Sequence, residues 1–165
     1  MCSERFTCIY MKLKDDRKTL NLYTKMVDDV FTEDDWMVTV RLFGIDDKEK
    51  FICDQLNRLN RKVYPNRKFR EGNECCINTF ATIGWTNEEG ENHCAAHILI
   101  KDFDYRSPTV SSFQELIYKV FRKNRNMPDD VVVRRVFYGY GASDYVVNKQ
   151  GDDVTIVDGA IRLDF

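Results

Sequence analysis

The order in which two hydrophobic periodicities occur along the chain is the feature that most constrains its fold. Trp36 to Phe43 alternates and is rich in strand-forming residues, which predicts a strand. An apolar stripe at helical spacing then predicts a helix over Asp47 to Tyr64. A second helix is predicted over Ser112 to Arg125, because Ser112 and Glu115 form a capping-box pattern ahead of an apolar face.

Further alternating segments fill the chain between and after these helices. Cys75 to Trp85 and His93 to Phe103 flank a polar, turn-like stretch and predict an antiparallel hairpin. Thr19 to Phe31 fits either a helix or a strand. Other strands are predicted at Phe6 to Leu13, Val131 to Tyr138, Asp144 to Asn148, Val154 to Val157 and Ile161 to Phe165. This order predicts an α+β fold, a mainly antiparallel sheet with two or three helices packed on one face.

Composition sets the broad class of the protein. The 165 residues, 43% of them hydrophobic, are expected to form a single domain over 1–165. The net charge of −2 gives no overall attraction to nucleic acid or membrane. No apolar run approaches the ~18 residues that span a bilayer. Met1 to Lys12 lacks the pattern of a secretory signal.

The six cysteines admit two interpretations. An even number is compatible with disulfides, but a chain of this size has enough core material without them. Several of these cysteines alternate with apolar residues, as buried strand residues do. We therefore expect reduced thiols and a cytoplasmic or nuclear location.

The predicted hairpin holds the densest group of soft ligands. Cys75 and Cys76 lie on one strand, and His93, Cys94 and His97 lie on the other. Zinc or copper would use such side chains, and a histidine-activated Cys94 would be a nucleophile. Neighbouring strand residues diverge, however, so buried thiols are the favoured interpretation and no cofactor is predicted. An acidic run from Asp28 to Asp35 is expected to be a solvated loop.

A basic segment from Arg58 to Arg70 stands out in a chain of negative net charge. It contains no acidic residue, and Tyr64 and Phe69 are interleaved with its basic side chains: Arg58, Arg61, Lys62, Arg67, Lys68 and Arg70. Charge with interleaved aromatics is typical of proteins that hold single-stranded nucleic acid. Trp85, near the hairpin turn, either caps the core or stacks on a ligand.

Several strings resemble those of the messenger-RNA cap-binding translation initiation factor family. Thr32 to Trp36 is similar to the acidic string that ends in that family's partner-binding tryptophan. Ile117 to Lys123 with Asn126 to Pro128 is similar to its basic helix and the proline after it. The cap-stacking tryptophans are not matched, since Leu20 occupies the position of the first.

The resemblance implies an RNA- or cap-binding protein that stacks a base on other aromatics. The candidates are Trp85, Phe103 and Tyr105, with Arg67, Lys68 and Arg70 on phosphate. It also implies a partner-binding patch formed by Trp36, Leu56 and Leu59.

The leading hypothesis is thus a non-enzymatic binding protein for RNA or a nucleotide cap, with no role at a membrane. A protein–protein interaction module, such as a viral or regulatory factor, is the alternative. A small enzyme or metal protein built on Cys75, Cys76, His93 and His97 is the second alternative.

Overall fold

Helices and strands alternate along the chain of the computed structural model, which describes residues 17–64, 77–88, 91–103, 112–121, 131–136, 141–146 and 154–163. The helices are α1 (Arg17–Val30), α2 (Lys48–Val63), α3 (Phe113–Phe121) and α4 (Ala142–Val146). The strands are β1 (Trp36–Arg41), β2 (Thr79–Glu88), β3 (Glu91–Ile100), β4 (Val131–Arg135) and β5 (Thr155–Ile156). A short 3-10 helix follows at Asp158–Ala160. No described helix has the length and apolar character needed to cross a membrane.

The five strands form one antiparallel sheet in the order β4-β1-β3-β2-β5. The predicted hairpin is present as β2 and β3, which pair from Thr79↔Ile100 to Glu88↔Glu91. These strands continue into the stretch that was predicted to be a loop. The predicted α+β class with an antiparallel sheet is confirmed.

Helices cover both faces of this sheet. Val38 and Val40 of β1 pack in one core with α2 and α3, which we call the first face. Met37 precedes Val38 and so faces the other side of the sheet, where it packs in a second core with Val27 of α1 and Val146 of α4. The two helices predicted from their apolar stripes, α2 and α3, therefore share one face, as predicted. Helices α1 and α4 add a layer on the second face that the sequence did not indicate.

One segment that the sequence left open is a helix, and two segments predicted as strands have a different conformation. The ambiguous stretch near Thr19 is helix α1, with Val27 fully buried. The strand predicted at Asp144 to Asn148 is wrong, because α4 occupies Ala142–Val146. At Ile161 to Phe165 the described residues form only an isolated bridge, Arg162 to Thr79. The strand predicted at Phe6 to Leu13 lies outside the described residues.

Contacts with distant residues hold α4 at both ends. Asp28 of α1 accepts hydrogen bonds from the Ser143 N–H at 3.0 Å and the Ser143 hydroxyl at 2.8 Å. At the other end, the Thr82 hydroxyl donates to the Val146 carbonyl at 2.7 Å. Gly141 permits the approach of Asp28, since a Cβ there would lie 2.8 Å from the Asp28 Oδ1.

We expect Gly141→Ala to destabilise the protein by about 1 to 2 kcal/mol, because the new methyl group displaces Asp28 from Ser143. In an Asp28→Ala background the same substitution should cost much less, since the contact is already absent. Chemical denaturation of the four proteins of this cycle measures the coupling. Equal costs in both backgrounds would contradict the proposed contact.

Candidate functional site

Trp36 lies at the start of β1, and both faces of its indole are occupied. The Phe113 ring stacks on it with centroids 4.5 Å apart and planes at 11°. The Arg135 guanidinium lies 3.5 Å from the indole centroid, which requires the opposite face. The indole N–H donates to the Asp102 Oδ1 at 2.8 Å. We call Trp36, Asp35, Asp102, Phe113 and Arg135 the Trp36 junction.

Arg135 is fixed in this position by two further contacts. It donates to the Asp34 carbonyl and forms an ion pair with Asp102 at 3.4 Å. A guanidinium over an indole contributes on the order of 1 kcal/mol at a partly exposed site. The junction therefore closes the surface that Trp36 would otherwise present.

The predicted partner-binding patch is wrong in its composition. Leu56 and Leu59 are fully buried on the inner side of α2, in the first-face core. Their helical spacing places both on the same stripe as Ile52, and this stripe packs on the sheet. Only Trp36 of the three is partly exposed.

Asp35 is a buried carboxylate at the base of the junction. It is 3% exposed, although its place in an acidic run suggested a solvated loop. Its Oδ2 accepts from the Thr32 N–H at 2.8 Å, and its Oδ1 accepts from the Asp102 N–H at 2.7 Å. Lys101 lies 3.6 Å from it and also donates to the Val30 carbonyl at 2.8 Å. One side chain thus joins the α1–β1 turn to the end of β3.

The basic residues of α2 lie together on its outer side. Arg58, Arg61 and Lys62 are all exposed, and positions i, i+3 and i+4 are neighbours on a helix surface. The buried residues Leu56, Leu59 and Asn60 define the opposite side. We call Arg58, Arg61 and Lys62 the α2 basic face.

The charges of the α2 basic face are not neutralised within the described part of the chain. No described carboxylate lies within ion-pair distance of these three side chains, and Arg58 contacts only the Gln55 amide oxygen, at 3.4 Å. Other basic side chains are paired: Lys119 with Glu115 at 3.0 Å and Arg135 with Asp102. The α2 basic face is therefore a local positive surface on a weakly acidic protein.

The opposite end of α2 is acidic. An open depression of about 360 Å³ lies there, lined by Asp46, Asp47, Lys48, Glu49, Ile83 and Thr155. Asp47 caps the helix by accepting from the Lys50 N–H at 3.0 Å. The carboxylates of this depression would repel phosphate, and the unpaired positive charges of α2 lie toward its C-terminal end.

Trp85 and Phe103, two candidates for base stacking, lie on parts of the backbone that are far apart. The backbone of Trp85 pairs with Cys94, whereas Phe103 follows the opposite end of β3, beyond the pair Thr79↔Ile100. Six residue steps separate these pairs, about 20 Å along the strands. Phe103 is partly buried and packs edge-on against Phe113 with centroids 5.8 Å apart. The structure therefore does not bring Trp85 and Phe103 into one stacking site.

Several predicted site residues lie outside the described residues. These are Tyr105, Arg67, Lys68, Arg70, Cys75 and Cys76, and the side chains of Trp85 and His93 are not described either. Among the described residues, no group of three His, Cys, Asp or Glu side chains is placed to hold a metal ion.

The described members of the Cys/His hairpin lie on opposite faces of the sheet. Cys94 packs against the first-face core. The alternating strand places His97 on the second face, where its Nδ1 lies 3.5 Å from the Thr39 hydroxyl. Burial raises the pKa of the Cys94 thiol despite the opposing effect of Lys48. An activated nucleophile needs the reverse shift.

Comparison with known proteins finds no match among family models, curated proteins or solved structures. The resemblance to cap-binding factors therefore stays a prediction.

Sequence reasoning missed the residues that close the Trp36 junction. Asp35 lies in the acidic run from Asp28 to Asp35, which predicts a solvated loop. The spacing of Thr32 and Asp35, three residues apart as in a local turn, was the available signal for its burial. No local signal exists for Arg135, because its partners Trp36 and Asp102 are distant in the chain.

We expect Asp35→Asn to destabilise the protein by about 2 kcal/mol, because an amide leaves one buried N–H without an acceptor and removes the ion pair with Lys101. Asp34→Asn is the matched control, since its side chain is exposed and only its carbonyl is used. Its effect should lie within about 0.5 kcal/mol. Urea denaturation measures both, and equal effects would exclude the assigned role of Asp35.

We also expect Cys53 and Cys94 to alkylate slowly in the folded protein near neutral pH. Burial raises the pKa of both thiols, so each carries less thiolate than an exposed cysteine at the same pH. The rates should rise steeply only above the ordinary thiol pKa. Mass spectrometry after iodoacetamide treatment resolves each site, with denatured protein as the control. Labelling of the folded protein as fast as the denatured chain would contradict this.

Proposed function

We propose that this protein is a non-enzymatic binding protein for single-stranded RNA, and that the α2 basic face contacts the phosphates. The main observation that supports this proposal is the grouping of three exposed, unneutralised basic side chains on the outer side of one helix. Lysine and arginine at such spacing release counterions when they bind a phosphate backbone, which supplies most sequence-independent affinity.

The position of Arg58 supports a binding role more than a stabilising one. The helix dipole favours basic residues in the last turn, where Arg61 and Lys62 lie. Arg58 lies one turn earlier, where this effect has largely decayed. Its like-charged neighbours at i+3 and i+4 cost the helix a few tenths of a kcal/mol. Phosphate binding would offset that cost.

The sequence that follows α2 is also basic. Arg67, Lys68 and Arg70 follow within a few residues, without an intervening acid. The half-buried Tyr64 ends the helix in an extended conformation, with its N–H bonded to the Asn60 carbonyl. A continuous basic stretch of this kind suits a single strand better than a compact anion.

A nucleotide cap remains part of this proposal through the resemblance to cap-binding factors. The occupied faces of the Trp36 indole make it unsuitable for stacking, so Trp85 is the remaining tryptophan for that role. A protein–protein interaction module is the second candidate, and it is favoured by β4, an edge strand with no described strand on its outward side. The raised pKa of the Cys94 thiol gives no support to an enzyme built on the hairpin.

We expect the variant R58Q/R61Q/K62Q to bind single-stranded RNA at least about tenfold more weakly at low salt. The slope of log Kd against log salt should fall by about 2, since each lost phosphate contact removes roughly 0.7. Fluorescence anisotropy with a labelled oligonucleotide of mixed sequence measures both quantities.

The matched control is K25Q/K48Q/K50Q, which removes the same number of positive charges from exposed or half-buried positions away from the α2 basic face. It should retain most of the affinity and the salt slope. If both variants lose affinity equally, the effect is one of net charge and the proposed interface is wrong. Thermal denaturation checks that both variants fold.

A capped and an uncapped oligonucleotide of one sequence test the cap hypothesis. We expect tighter binding of the capped form and quenching of Trp85 fluorescence, read in a Trp36→Phe background that leaves a single indole. Equal affinities with no quenching would restrict the proposal to the RNA chain and remove the cap.

A further inference from the structure

The strand β4 forms one edge of the sheet, and a neighbouring hydrogen bond shows which of its backbone groups point outward. The Val136 N–H donates to the Asp35 carbonyl at 3.0 Å, so the backbone groups of residue 136 face β1. Backbone groups alternate in direction along an antiparallel strand. The N–H and carbonyl groups of Val131, Val133 and Arg135 therefore face away from the sheet.

The outward groups of β4 pair with no described backbone group. The side chain that reaches them is Gln114 of α3, whose amide nitrogen donates to the Val133 carbonyl at 3.3 Å. A carbonyl oxygen accepts two hydrogen bonds, and α3 lies on the first face, so an acceptor position remains for a strand in the plane of the sheet. Unpaired edge groups of this kind are a template for pairing with another chain.

The side chains on the second face of β4 are accessible. Val132 is 45% exposed although it is apolar, and Arg134 is exposed two residues further along the strand. On the first face Val131 and Val133 are buried, and the whole strand pairs with β1. The edge is therefore preformed, and it loses little conformational entropy when a second strand pairs with it.

The backbone of β4 is suited to antiparallel pairing with a second β4. If Val133 lies on a two-fold axis, it pairs with its own copy, and Val131 pairs with Arg135 of the second copy. All of these residues have outward N–H and carbonyl groups, so each pair is of the hydrogen-bonded kind. The register therefore uses every outward group of the strand.

The same register covers the exposed valine. Val132 would face Arg134 of the second copy in a non-hydrogen-bonded pair, where the two Cα atoms lie about 4.5 Å apart and the side chains are closest. The aliphatic stem of Arg134 would cover Val132 while its guanidinium stays in water. The two-fold axis repeats this contact, and no arginine faces another arginine.

The charges along this stretch favour a second copy over a uniformly acidic or basic segment. In the sequence Asp129 and Asp130 directly precede β4, and Arg134 and Arg135 end it. A segment of one charge is attracted to one end of this stretch and repelled by the other. An antiparallel copy places the acidic start of each stretch beside the basic end of the other. Arg135 keeps its ion pair with Asp102 in this arrangement.

We infer that this protein forms a two-fold symmetric dimer through the edge of β4, which joins the sheets of two copies into one continuous sheet. The β4 dimer contact consists of the pairs Val133↔Val133, Val132↔Arg134 and Val131↔Arg135 between the copies. It involves no residue of the α2 basic face, so dimerisation and RNA binding are separate properties.

Analytical ultracentrifugation and hydrogen exchange across a concentration series test the dimer. We expect the mass to double as the concentration rises, and exchange at the amides of Val131 and Val133 to slow by at least about tenfold in the dimer. A mass that stays monomeric up to about 1 mM would overturn the inference. Protection of these amides that does not depend on concentration would also overturn it, because a segment of the same chain would then cover the edge.

Charge variants at the facing positions test the register. Val132→Lys should weaken the dimer at least about tenfold, because each new positive charge faces Arg134 of the second copy. The variant V132K/R134E should restore the dimer, since the facing charges are then opposite. Leu22→Lys is the matched control, because Leu22 is an apolar residue of α1 that is 71% exposed and lies away from β4.

Equal weakening by Leu22→Lys and Val132→Lys, or no recovery in V132K/R134E, would overturn the β4 dimer contact. Thermal denaturation checks that each variant folds. The variant R58Q/R61Q/K62Q should dimerise normally, so this inference and the proposed RNA interface fail independently.

Discussion

The contacts that join the start of β1 to the ends of β3 and β4 depend on one residue, Asp35, whose carboxylate is buried. Its two oxygens accept backbone N–H groups from Thr32 and Asp102, and its own carbonyl accepts the Val136 N–H. Three separate chain segments therefore meet at one residue. A buried charge without such partners would cost several kcal/mol, so the site is stable only when all its donors are in place. Lys101 completes it and links it to the carbonyl end of α1.

The Trp36 junction follows directly from this anchor. Because Asp35 fixes the start of β1 and the position of Asp102, the indole N–H meets an acceptor, and Phe113 and Arg135 occupy its two faces. The most distinctive aromatic residue of the described chain is thereby used for structure. Among the described residues, the α2 basic face keeps its charges without a carboxylate partner, and the outward side of β4 has no described strand beside it.

Much of the architecture could be predicted from periodicity alone. Helix α2, helix α3 and the β2–β3 hairpin were predicted because each carries a strong local pattern together with a cap or turn signal. The failure at α4 has an equally clear cause. Its sequence, Ala-Ser-Asp-Tyr-Val, has weak helical character, and it is held by hydrogen bonds that Ser143 donates to Asp28 and that Thr82 donates to the Val146 carbonyl. Leu56 and Leu59 were placed on a partner surface by analogy, although their own spacing assigned them to the core stripe.

The sequence by itself determined the class of fold, the two principal helices and the α2 basic face, because residues three and four apart share a helix side whatever the helix packs against. Only the tertiary structure decided that Asp35 is buried, that Trp36 is covered on both faces and that β4 lies at an edge. Each of those depends on groups far apart in the chain, and no local pattern encodes which segments meet. Packing of the whole sheet sets the strand order and the buried polar contacts. These in turn decide which side chains and strand edges stay exposed.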